Sequence, residues 1–211
     1  MDTPSARERI LEGAQTLVLQ HGFAATTVDA VLESAGASKG AFFHHFPSKA
    51  HLGRALVERY AARDAELLES VMSAAEAASD DPAEQLVIFT RTFEERADHA
   101  MALQPSCLFV SFIYETDLSD VGIEDLVTTS ILHWRTRIVD KLELASATRP
   151  ALLDLDLAAL ADHWFTTFEG SFLLAQAVGD SSCMRRQLAH LRQYLELLFE
   201  LDADEKSSGD R

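Results

Sequence analysis

Two short apolar runs hinged on one glycine constrain this chain more than any other feature. Val28, Val31, Leu32 and Ala35 recur at helical spacing, Gly36-Ala37-Ser38 interrupts them, and a second run from Lys39 to His45 stops at Pro47. Thr26 and Thr27 offer an N-cap to the first run and Ser38 offers one to the second, because a hydroxyl oxygen accepts from the unpaired amides of a first helical turn. Gly36 falls where a left-handed residue closes a helix, a conformation that is costly for L side chains and free for glycine. The segment reads as helix, a turn of about three residues, and helix again, the helix-turn-helix layout.

The same helical period runs through the rest of the chain, and no period-two run bounded by hairpin turns interrupts it. Helix one opens at a capping box, Ser5 with Glu8 three residues on, buries Ile10, Leu11, Ala14, Leu17 and Val18, and ends at Gly22. Ser48 caps a long fourth helix that reaches Ala78. Asp81-Pro82 starts a fifth, carrying Leu86, Phe89, Phe93 and Ala97. After Pro105 a short helix spans Cys107 to Tyr114. Three more span about Ile123–Ala145, Leu157–Val178 (closed by Gly179) and Met184–Leu201. The expected fold is all-α with about nine helices. It comprises a three-helix head over residues 1–50, a larger helical domain over 51–202 and a disordered tail over 203–211.

Composition narrows the functional classes. Of 211 residues 47% are hydrophobic, with nine glycines and five prolines, so a packed core is expected rather than disorder. The polar N-terminus lacks the apolar stretch of a signal peptide and no apolar run is long enough to span a membrane, so a cytoplasmic location is expected. Two distant cysteines, Cys107 and Cys183, make no disulfide framework. A net charge of −16 argues at first against nucleic acid. Its distribution answers the objection. Residues 1–60 balance six cations (Arg7, Arg9, Lys39, Lys49, Arg54, Arg59) against six anions (Asp2, Glu8, Glu12, Asp29, Glu33, Glu58), so the whole excess lies beyond residue 60. A neutral head on an acidic body suits a protein that touches DNA with one end only, the body repelling non-specific contacts.

The ungapped stretch Thr26-Thr27-Val28-Asp29-Ala30-Val31-Leu32-Glu33-Ser34-Ala35-Gly36-Ala37-Ser38-Lys39-Gly40-Ala41-Phe42-Phe43-His44-His45-Phe46-Pro47-Ser48-Lys49 resembles the DNA-binding signature of the TetR family of repressors. The resemblance implies a dimer that binds a palindromic double-stranded operator and releases it when a small molecule binds the C-terminal domain. The candidate DNA contacts are Thr26, Thr27, Ser38, Lys39, Gly40, Phe43, His44 and Lys49. Thr26, Thr27 and Lys49 are expected on phosphates, and Lys39 on a base edge or a phosphate. Gly40 allows close backbone approach. Phe43 stands where the family commonly has Tyr; it keeps the ring and loses one hydroxyl donor. Phe42 and Phe46 are expected in the core of the head.

For the effector, the candidate pocket residues are Phe89, Phe93, Cys107, Phe109, Phe112, Trp134, Phe165, Phe168, Glu169 and Phe172, with His133 and His163 as further polar groups; plain core packing is the competing reading. Cys107-Leu108-Phe109 after Pro105, followed by Glu115 and Leu118-Ser119-Asp120, resembles the start of helix six in a subgroup that includes sensors of electrophiles and oxidants, which implies a thiol switch; a small buried core residue is the alternative. Cys183 is expected in an exposed loop. The dimer interface implied by the resemblance lies on the last two helices, through Gly170, Ser171, Ala175, Leu188, Leu191, Leu195 and Leu198, unless that leucine stripe is covered within one chain. No metal or cofactor is expected. The sequence shows no phosphate loop, nucleophile elbow or metal-ligand spacing, so an enzyme is not expected. The alternative to a regulator is a helical interaction module that has lost specific DNA binding.

Overall fold

The structure, a computed structural model, describes residues 4–103, 106–113 and 122–201. Among these residues there are nine helices and no strand. They are α1 (Ala6–His21), α2 (Val28–Ala35), α3 (Lys39–His45), α4 (Lys49–Ala78), α5 (Pro82–Leu103), α6 (Val110–Ile113), α7 (Ile123–Thr148), α8 (Leu157–Val178) and α9 (Cys183–Leu198). The all-α expectation holds. Pro105, Tyr114, Glu115, Leu118 to Asp120 and the 203–211 tail lie outside the described residues.

Local signals place the helix boundaries. Ser5 Oγ accepts from the Glu8 amide at 3.2 Å while the Ser5 amide donates to Glu8 Oε2 at 2.8 Å, the full capping box. That box also holds the Glu8 carboxyl below its usual range, through its bonds to Ser5. Asp81 Oδ1 accepts from the Ala83 amide at 2.8 Å ahead of α5. Asp156 accepts from Ala159 at 3.0 Å ahead of α8, and Gly179 closes α8 with φ 68°.

Two compact units emerge: Met1–Ala65 with Gln104–Ile131, and Glu66–Leu103 with Leu132–Arg211. Among the described residues the first unit takes in α1 to α3, α4 as far as Ala65, α6, and α7 as far as Ile131. Its core is Ile10, Leu11, Ala14 and Val18 of α1, packed with Phe23, Val31, Phe42, Phe46, Leu52 and Leu56. Arg59 pins α4 to α1, donating to the Leu11 carbonyl at 3.0 Å and to Gln15 Oε1 at 2.6 Å. Burial pulls its guanidinium below the usual arginine range.

In the second unit α9 lies against α5 and α8. Leu188, Leu191, Leu195 and Leu198 are all buried in the single chain. This corrects the expected dimer stripe: these leucines are the face by which α9 joins its own subunit's core. Ser171 and Ala175 are buried too, whereas Gly170 stands open. Cys183 is also corrected. It is the first residue of α9, buried, with Arg186 Nη2 3.3 Å from its sulfur, and not a residue of an exposed loop.

Aromatic rings fill the middle of this unit. Trp134 and Trp164 stack at 5.4 Å, Trp164 and Phe168 stack at 5.7 Å, and Phe89, Phe93 and Phe172 close around them edge-on or tilted. The Trp164 indole N–H donates to Thr90 Oγ1 at 3.1 Å. Beside them a polar seam joins α4, α5 and α7. Lys141, only 5% exposed, meets Glu76 at 2.7 Å and Gln85 Oε1 at 2.5 Å, and Arg137 bridges Glu69 and Glu76. The bonds from Arg137 and Lys141 hold the Glu76 carboxyl below its ordinary value.

Candidate nucleic-acid interface

The helix-turn-helix is built by three local devices. Thr27 Oγ1 accepts from the Ala30 amide at 3.2 Å and starts α2. Gly36, at φ 56°, ends it and donates its amide to the Leu32 and Glu33 carbonyls. Ser38 Oγ accepts from the Ala41 amide at 3.2 Å and starts α3. α1 packs on both α2 and α3, and Phe42 and Phe46 are buried as expected. Arg9 adds a tether from α1 to the end of α2, its Nε donating to the Ala35 carbonyl at 3.3 Å.

These anchors leave one face of α3 outward. Ser38, Lys39, Gly40, Phe43 and His44 are all exposed, Phe43 at 49% despite its aromatic ring. A Cβ built on Gly40 would meet only Ser38 Oγ, at 3.9 Å, so the fold itself has room for a side chain there. The face carries one lysine, one hydroxyl, one imidazole and an exposed ring around a bare backbone. Such a set can donate to phosphates and base edges and can touch a thymine methyl.

Two expected contacts are placed differently. Thr26 is 4% exposed and its hydroxyl donates to the Gly22 carbonyl at 2.8 Å, so it holds the α1–α2 turn and does not face outward. Thr27, the neighbouring residue, is the exposed cap. Lys49 Nζ donates to the Ala24 carbonyl at 3.0 Å and lies 4.5 Å from the centre of the Phe23 ring. Its charge therefore sits beside the start of α2 and also fastens α4 to the preceding loop.

The expected effector group divides. Phe89, Phe93, Trp134, Phe168 and Phe172 belong to the aromatic cluster of the second unit; Phe165 and Glu169 are half-buried on the same helix, and His133 pairs with Glu69 at 3.4 Å. Cys107, Phe109 and Phe112 belong to the first unit. The Tyr60 hydroxyl lies 4.0 Å from Cys107 Sγ, Phe109 meets Tyr60 edge-on at 4.8 Å, and Phe112 packs on Phe23 at 4.7 Å. Trp164, which with Phe93 has four ring partners in the cluster, was not singled out from sequence; its position three residues after Ala161 and four before Phe168 on an apolar helix face was the signal that could have found it. Among the described residues no cluster of His, Cys, Asp and Glu is arranged to hold a metal, and no helix is long and apolar enough to cross a membrane.

Residues 10–56 match the family model described as bacterial regulatory proteins, tetR family, and residues 82–191 match tetracyclin repressor-like, C-terminal domain. The transcriptional regulator AcuR of Cereibacter sphaeroides is 27% identical over 83% of this chain and 78% of its own. The transcriptional repressor AcnR of Corynebacterium glutamicum is 44% identical over 68 residues, 32% of this chain and 36% of its own. In fold, the chain resembles the crystal structure of regulatory protein TetR from Rhodobacter sphaeroides. Their TM-score is 0.74 and their identity 23%, over 90% of this chain and 98% of that one. These relatives are regulators and not enzymes, in agreement with the motifs the sequence lacks. The chain belongs to the TetR family of bacterial regulatory proteins and is a DNA-binding transcriptional regulator.

Proposed function

We propose that the protein is a cytoplasmic repressor that grips a palindromic operator as a homodimer and lets go when a small molecule reaches its second unit. The exposed α3 face carries this reading. Lys39, Ser38, Phe43 and His44 surround Gly40, where the fold imposes no crowding. Absence of a side chain there serves close approach to a duplex. Thr27 and Lys49 flank that face at phosphate positions. Lys39→Ala weakens binding and blurs sequence preference, while Lys49→Ala weakens binding on all sequences alike. A gel shift on the intergenic DNA beside the protein's own gene, at two salt concentrations with competitor, tests this. A specific shift weakened by salt supports it. Equal affinities of both variants and wild type overturn the contact assignment, and no salt-dependent binding to any selected duplex favours the interaction-module reading.

The second copy is assigned to the outer face of α8. Gly170, Leu173, Leu174, Ala177 and Val178 are exposed there without a charged residue among them, Leu173 at 72%, and Leu197 of α9 is 69% exposed. A contiguous uncharged surface of this kind marks a protein contact, and a two-fold pair presents two heads to a palindrome. Leu173→Asp yields folded monomers by analytical ultracentrifugation; an unchanged mass removes this face from the assembly. For the effector, the burial of Cys107 and Cys183 favours a bound small molecule over a thiol-reactive one, since buried thiols are inert. Wild type keeps its DNA in N-ethylmaleimide. Release that Cys107→Ser abolishes would restore the thiol switch.

A further inference from the structure

Three residues from two helices converge on the Phe23 ring, which lies in the short loop between α1 and α2. Lys49 of α4 places its ammonium 4.5 Å from the ring centre and bonds the Ala24 carbonyl. Gly53, one turn further along α4, comes so close that a Cβ there would stand 2.8 Å from Phe23 Cζ and 3.1 Å from Phe112 Cε1. Phe112 of α6 packs against Phe23 at 4.7 Å with a 38° tilt. Phe112 is itself fixed in depth. Ser106 Oγ donates to the Leu19 carbonyl near the end of α1 at 3.0 Å, and Cys107 and Phe109 rest on Tyr60 of α4. Phe23 and Ala24 lead directly into Thr26, which holds the turn, and Thr27, which caps α2. A ring packed without slack transmits displacement to its neighbours, and a lysine on its face loses part of its attraction when the ring turns away.

We propose that Phe112 is a positioning residue for DNA recognition, acting through Phe23 to hold Lys49 and the N-terminus of α2 in binding geometry. The proposal rests on the DNA-binding reading. With Phe112 withdrawn, Phe23 relaxes into the vacated space and carries the Ala24 carbonyl and the Lys49 ammonium out of place.

The test uses the full chain and a duplex selected from genomic DNA by the wild type. Phe112→Ala is expected to lose about tenfold in affinity, and Phe112→Leu, which keeps most of the volume, much less. Gly53→Ala is the decisive companion. It favours helix α4 locally yet pushes both rings, so it lowers affinity without removing any contact. In a double-mutant cycle with Lys49→Ala, the Phe112→Ala loss is less than additive, because both act through one ammonium. Independently of DNA, hydrogen–deuterium exchange across residues 23–31 quickens in Phe112→Ala and Gly53→Ala. Unchanged exchange there, or strictly additive losses, overturns the positioning role while leaving DNA binding intact. If the wild type selects no duplex, the DNA-binding reading fails and the proposal falls with it.

Discussion

The helix-turn-helix and the second unit are held together by bonds of different reach. In the first, these capping and turn-closing hydrogen bonds span three or four residues: Thr27 to Ala30, Ser38 to Ala41, Gly36 to Leu32 and Thr26 to Gly22. In the second, the fixing contacts join residues far apart in the chain. Trp164 reaches Thr90, Lys141 reaches Gln85, Arg137 reaches Glu76 and Arg192 reaches Glu94 at 2.7 Å. The caps of the recognition helices are thus set by their own short segment, while Arg9 and Lys49 reach that segment from further along the chain. The body depends on partners that only the tertiary fold supplies.

The contrast can be broken most forcefully from the body. Leu191→Ala, inside the α9 stripe, should cost about 2–5 kcal/mol in denaturant unfolding; a cost near zero would mean the stripe is not core. Next comes Gly40→Val. It should lower operator affinity by about 1–3 kcal/mol while leaving the unfolding midpoint close to wild type, apart from the helix-propensity change; an unchanged affinity would show that α3 does not approach DNA at its first turn. Thr27→Ala should lose about 1 kcal/mol of stability with its cap, and amide exchange should speed in α2 rather than in α8. An even increase in both helices would sink the idea of local specification. The smallest effect is electrostatic. Bonds from Ser182 and Arg186 hold the Asp180 carboxyl down at about 2, against 3.8 when unperturbed. A carboxyl lowered on folding adds stability above its unfolded value and loses it as pH falls toward the folded one. The Asp180→Asn difference should therefore be present at neutral pH and shrink between about pH 4 and pH 2. Because the Asp180 side chain is 44% exposed, a salt titration should shrink it as well.

This difference in reach also decides what the sequence discloses. Ser5, Thr27, Gly36, Ser38, Asp81 and Gly179 all do what their spacing predicts, because a cap needs only its own next turn. Periodicity shows that Leu188, Leu191, Leu195 and Leu198 share a face, and it is silent on whether α5 or a second copy covers it; in the structure their own chain does. Thr26 and Thr27 are equivalent as letters, and only the turn at Gly22 turns one hydroxyl inward. Cys107, Phe109 and Phe112 resemble further members of an aromatic pocket until folding sets them on Tyr60 and Phe23. Cys183 opens α9 although Ser182 makes no side-chain cap bond there, so the start of this helix carries no local mark of the kind that opens α2 and α3.

The inward leucines of α9 have a consequence for how the regulator behaves at low copy number. Because these leucines are covered within their own chain, the pairing proposed through the outer face of α8 would leave them covered when subunits part, and such pairing would be open to mass action. Subunits would then be traded between pairs, mixed pairs with a defective head would form in a cell carrying two alleles, and where unpaired subunits predominate the occupancy of an unsaturated two-headed operator would fall with the square of the concentration as the cell divides and dilutes its stock.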